Sequence, residues 1–117
     1  MNQVMLVMEN LIGVGNGRTY EDFQKQIPKS VKPLFDKLRI YCKSLDEKVV
    51  EDVRMHRIVF CKTMIFRWFA DLEPTEKSII IKIQKERKAE PKILEVTPEQ
   101  ELSEIESKLK DAFTTIH

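Results

Sequence analysis

Several groups of side chains in this sequence are of types that do chemistry. His56 and Cys61 could act as base and nucleophile, Asp71 with Lys82 could belong to a metal-dependent nuclease, and "GVGNG" at residues 13–17 could cradle a phosphate. Each fails on spacing. Read on one strand, His56 and Cys61 are five residues apart and fall on opposite faces, so no base reaches the thiol. A restriction-type site needs a second acid two residues before the lysine, and Ile80 stands there. A P-loop needs Lys-Ser/Thr after its second glycine, and a dinucleotide fingerprint needs a later glycine where Arg18 stands, so "GVGNG" reads as a flexible turn.

What survives is a binding constellation. Arg54, Arg57, Lys62, Arg67 and Lys82 fall on neighbouring strands, His56 lies among them, and Phe66 and Trp68 offer apolar or stacking area beside them. Charge is uneven along the chain: residues 53–92 carry ten basic and five acidic side chains, and residues 93–117 carry two and six. The whole chain sums to +1, which argues against a surface built entirely for nucleic acid or anionic membrane. Either an acidic helix neutralises a basic sheet within the molecule, or two surfaces of opposite sign face partners. Strand cations also protect sheet edges from aggregation without binding anything. Cys42 and Cys61 are the only cysteines and no CxxC or His spacing forms a zinc site, so reduced thiols and no metal or cofactor are expected.

These side chains must be positioned by one domain, since 117 residues suffice for a single core. Residues 1–18 form an N-terminal segment with the glycine-rich turn, and residues 19–117 the domain proper. For residues 3–12 helix and strand both fit, because Val4, Val7, Met8 and Leu11 have helical spacing while Val4, Leu6 and Met8 alternate. Thr19 and Asp22 resemble a capped helix start that Pro28 closes. Ser30 can cap the next helix, with Pro33 in its first turn and Val31, Leu34, Phe35, Leu38, Tyr41, Cys42 and Leu45 along one stripe. From Val49 to Gln84 the period becomes alternating. One strand places Val53, Met55, Arg57, Val59 and Cys61 on one face and Arg54, His56, Ile58, Phe60 and Lys62 on the other. Thr63 and Met64 connect it to a second strand ending at Leu72, "EPTEK" is a turn, and Ile79, Ile81 and Ile83 mark a third. "KERKAEP" is a charged loop and "KILEV" a short fourth strand. Thr97, Pro98 and Gln100 then cap a last helix with Leu102, Ile105, Leu109, Ala112, Phe113 and Ile116 on its apolar stripe. The fold class is α+β: an antiparallel three- to four-stranded meander with an amphipathic helix before it and another after it, packed on one face.

The stretch "MIFRWFADLEP" bears on the second face. Strict alternation puts Phe66, Trp68, Ala70 and Leu72 on one side and Ile65, Arg67, Phe69 and Asp71 on the other, so both faces carry large apolar groups. Either the N-terminal segment covers the face away from the helices, or that face associates with itself or with a ligand through Trp68.

The segments "LFDKLRIYCKSLDEKVVED", "HRIVF" and "FADLEPTEKSIIIKI" resemble a family of uncharacterised prokaryotic domains. That family was once labelled "predicted transport protein", and its members often sit C-terminal to restriction-endonuclease-like or other defence-associated domains. The resemblance spans roughly residues 19–116, with Phe60, Phe69, Asp71, Pro74, Lys77, Ile79, Ile81 and Ile83 fitting its pattern. Trp68 stands where the family has a small polar residue, and the long polar loop before the last helix is reduced to "QKERKAEPKILEV". The family has no established reaction, so the resemblance implies fold and context.

The expected function is that of a cytoplasmic, non-catalytic binding or assembly module, self-associating through the sheet face or taking a nucleic acid or other anionic partner. The apolar opening, interrupted by Glu9 and Asn10 and without a basic leader, predicts neither a targeting signal nor a membrane segment. The alternatives are a small-molecule pocket between sheet and helices, anchored by Arg67 or His56, and an enzyme completed by a partner subunit.

Overall fold

The computed structural model of the protein describes residues 17–63 and 67–116. Expectations for residues 1–16, for Met64 and Ile65 and for Phe66 therefore lie outside the described residues. The N-terminal cover for the second sheet face is one of them.

Thr19 opens α1 (Tyr20–Phe23) as expected, its hydroxyl accepting from the Asp22 amide, and a 3-10 turn follows at Gln24–Gln26. Helix α2 (Lys32–Ser44) buries Leu34, Phe35, Leu38 and Cys42, with Pro33 in the first turn where a missing amide donor costs nothing. Ser30 is not its cap. The Ser30 hydroxyl donates instead to the Glu76 carbonyl at 2.6 Å, tying the helix approach to the turn around Glu76, and Val31 takes the cap position without a side-chain bond.

The sheet departs from expectation. Five antiparallel strands run in sequence order: β1 (Val50–Val53), β2 (Ile58–Cys61), β3 (Trp68–Pro74), β4 (Ile79–Ile83) and β5 (Lys92–Val96). The extra strand arises because residues 50–61 are a hairpin, not one strand. Val53 pairs with Ile58, and the Arg54 amide donates to the Arg57 carbonyl at 2.8 Å, so Met55 and His56 form the turn. None of these is a glycine, asparagine or aspartate of the usual two-residue turn, so the sequence carries no local sign of it. The turn reverses the facing: Arg54 joins Arg57, Val59 and Cys61 rather than Ile58 and Phe60.

A second phase change lies between β2 and β3. Phe60 is opposite Ala70 but Cys61 is opposite Trp68, which leaves Phe69 as the extra residue of a β-bulge. Phe69 therefore turns to the same side as Ala70 and Leu72, where its ring meets Phe113 edge-on at 5.3 Å. Trp68 is carried to the opposite side with Asp71. Strict alternation had grouped Trp68 with Ala70 and Leu72, and Phe69 with Asp71; the bulge exchanges them.

Helix α3 (Ser103–Thr115) starts later than the Thr97–Gln100 signal suggests. Those residues close a turn of their own, with the Thr97 amide donating to Gln100 Oε1 at 2.8 Å and the Gln100 amide to the Thr97 carbonyl at 3.1 Å. Its apolar stripe is the expected one: Ile105, Leu109, Ala112 and Ile116 are buried, with Leu102 and Phe113 packed beside them. The single core joins Val53, Ile58, Phe60, Phe69, Leu72, Ile79, Ile81 and Val96 of the sheet to both long helices. Val59 and Cys61, although buried, are not part of it. Both helices thus cover one face, as expected for the α+β class.

A charged network reinforces that face. Tyr20 lies beneath the Arg39 guanidinium at 3.7 Å and donates its hydroxyl to Asp36, while Arg39 forks onto Glu51 of β1. Burial works against the Asp36 charge, but hydrogen bonds from Lys32 and Tyr20 and the charges of Lys32 and Arg39 outweigh it and lower its pKa. Among the described residues no helix is long and apolar enough to cross a membrane.

The bulge gives a direct test. Phe69→Ala should lower the unfolding free energy by about 3–5 kcal/mol, the range for emptying a buried aromatic site, whereas Trp68→Ala should cost less than half as much. Urea denaturation measures both, and equal losses would place the two rings in one core.

Candidate functional site: the outer sheet face

The face away from the helices is built by register. Asp52 of β1 is opposite Val59 of β2, Val59 opposite Asp71 of β3, Asp71 opposite Lys82 of β4, and Lys82 opposite Ile93 of β5. Alternation adds Arg54 and Arg57 at the hairpin end with Glu73, Ile80 and Glu95, and Cys61 and Trp68 on the other side of the row. No described helix packs across it.

Its electrostatics centre on two buried carboxylates. Asp52 is 4% exposed and Asp71 is 7% exposed. Arg54 clamps Asp52 through Nε at 2.8 Å and Nη2 at 2.7 Å, and Arg57 Nε reaches Asp71 at 3.4 Å. A buried carboxylate requires such partners, because leaving a charge unpaired away from water costs several kcal/mol, on the order of 3–5 when one partner is deleted. Burial raises the Asp71 pKa, and the charges of Arg57 and Lys82 offset only part of this. Arg54 gains proton affinity from its hydrogen bond to Asp52. Burial likewise pushes the Cys61 thiol up to about 12, with Asp52 adding to the effect, so this thiol is protonated and unreactive at neutral pH.

A cleft of about 270 Å³ opens over these groups, lined by Arg54, Arg57, Val59, Trp68, Asp71, Lys82 and Pro91. Four of the residues singled out from sequence, Arg54, Arg57, Trp68 and Lys82, thus converge. His56 does not join them; it is exposed at the hairpin tip rather than within a strand. Arg67 is half-buried just before β3, its carbonyl accepting from the Lys62 amide at 3.0 Å, and it does not line the cleft. Asp52 was missed as a site residue, although "EDVR" places it two residues before Arg54, the strand spacing that puts both on one face. Among the described residues no group of three or more His, Cys, Asp or Glu side chains could hold a metal ion.

The arrangement presents paired charges and an aromatic edge for contact. Comparison with known proteins adds nothing to this geometry: no family, no curated protein and no solved structure matches the chain.

The raised Asp71 pKa has a definite sign. Between the ordinary aspartate value of about 3.9 and the raised native value, the folded state binds more protons than the unfolded state, so stability falls as pH rises through that window. Asp71→Asn should abolish this fall. Urea midpoints of both proteins across the acidic range measure it, and parallel pH profiles would contradict the assignment.

Proposed function

We propose that the protein is a non-catalytic binding and assembly module, that its contact surface is the outer sheet face around Trp68, and that its partner is a second copy of the chain. One observation carries the reading. Trp68, Val59 and Ile93, the last 62% exposed, share a face with charges of both signs laid out asymmetrically. Arg54 and Arg57 lie toward β1 and β2, while Glu73 and Glu95 lie toward β3 and β5.

A two-fold axis along the strands would lay the arginine side of one copy over the glutamate side of the other. Sheets packed this way bury apolar rows between them with strands nearly aligned. Tryptophan and arginine are the residue types that dominate such contacts. Nucleic acid is the weaker candidate, because Arg54 and Arg57 already face aspartates and the field left for a phosphate backbone is small. The layer between sheet and helices is filled by Phe35, Leu38, Phe60, Phe69 and Leu72, none with exposed surface, which favours the surface reading over an enclosed small-molecule pocket.

Solution mass tests this by light scattering over a concentration series. A dimer whose formation blue-shifts Trp68 emission is expected, with Trp68→Glu and Arg57→Glu each shifting the mass to monomer. A monomer at every concentration would overturn the reading. A salt-reversible emission change with single-stranded DNA instead would transfer the face to nucleic acid.

A further inference from the structure

A second cleft, of about 410 Å³, lies between the β4–β5 loop and α3. Three lysines from different elements border it. Lys85 follows β4, Lys92 is the first residue of β5, and Lys108 projects from the middle of α3. Ile83, Ala89 and Thr115 line it beside them, and Glu86 and Glu90 border it on the loop.

Bringing these ammonium groups together is unfavourable by itself. Contact with Lys108 and the Lys108 charge, then Lys85, push the Lys92 pKa down. Carboxylates temper two of the three: Lys85 reaches Asp111 at 2.6 Å and Lys108 reaches Glu104 at 3.7 Å. Both of those pairs are at the surface, where such bridges contribute little and exchange readily for a better acceptor. An ammonium group has donors and no acceptor, so three of them facing one space define a demand for several acceptor oxygens carrying negative charge.

We propose that this cleft is a binding site for a small phosphate monoester, with the phosphate held by Lys85, Lys92 and Lys108 and its organic body resting on exposed Ala89, at the edge of the buried Ile83. A phosphate monoester meets the geometry better than a carboxylate: it offers three terminal oxygens and close to two charges at neutral pH. The apolar side chains beside the lysines supply a reason for an ester rather than free phosphate. Glu86 and Glu90, on the loop rim, repel a larger polyanion and limit the site to one phosphate.

The test uses phenyl phosphate, inorganic phosphate and phenol as probes of the full chain. Calorimetry is expected to give phenyl phosphate the tightest binding, inorganic phosphate weaker binding and phenol none. Lys92→Gln and Lys108→Gln should each weaken phenyl phosphate at least tenfold, while Lys88→Gln on the same loop leaves it unchanged. A second reading does not depend on those variants: carbon-detected titration of the lysine side chains should show the Lys92 pKa rising when phenyl phosphate is present, because an anion relieves the repulsion. Equal affinity in the Lys92 and Lys88 variants, equal binding of phenol, or a Lys92 pKa indifferent to the probe would each overturn the proposal.

Discussion

The edge-on contact of Phe69 with Phe113 fixes more of this molecule than any other single interaction. Burying that ring in the core holds one surplus residue in β3, and the surplus residue sets which side every residue before it faces. If β3 paired without the bulge, Trp68 would enter the core side and Phe69 would lie over Asp71. One aromatic pair thus determines both how α3 closes on the sheet and what the outer face offers. The cost of interrupting the ladder is local, whereas a fully buried aromatic side chain contributes roughly 1.5–3 kcal/mol.

The outer face follows from the same arithmetic applied twice. The Met55–His56 turn brings Arg54 and Arg57 together, and the bulge then brings Trp68 to Asp71. With both phase changes, the basic, acidic and aromatic groups fall in adjacent rows. With either one missing, they would be divided between core and surface, where a buried unpaired Asp71 or Arg57 would be strongly unfavourable. The pair Asp71–Arg57, which joins β3 to the start of β2, therefore also specifies register, since a one-residue slip would separate the acid from its cation.

Much of this architecture was legible in the sequence. The stripes of α2 and α3 follow directly from the spacing of Leu34, Phe35, Leu38 and Cys42, and of Ile105, Leu109 and Ala112. The isoleucine ladder of β4 was equally plain, whereas Glu73 and Pro74, read as the start of a turn after Leu72, are the last paired residues of β3 and leave the turn to Thr75–Ser78. The hairpin was hidden because "RMHR" has no turn residue and its arginines continue an alternating pattern through the reversal. The bulge was hidden because its cause is a ring on α3, more than forty positions away, which no local periodicity encodes. The helix signals at Ser30 and Thr97 failed for a related reason: the Ser30 hydroxyl donates to the Glu76 carbonyl, and the Thr97 amide and hydroxyl both donate to Gln100 Oε1 within a separate turn. Four cations and aromatics of the candidate site were foreseen by type and segment, but their shared face depends on the two phase changes. The lysine cleft was not foreseen, since Lys85, Lys92 and Lys108 meet only through the packing of α3 on the sheet.

The burial of both thiols has one more consequence. Cys42 sits within α2 and Cys61 at the end of β2, each with no accessible surface and each free of a disulfide. Neither can meet a soluble alkylating reagent until its own element opens, and burial keeps both protonated until it does. The chain thus carries two internal clocks on separate layers. Their relative rates of modification distinguish a helix lifting from the sheet from an opening of the outer sheet face around Cys61, two events that far-ultraviolet or tryptophan signals would merge.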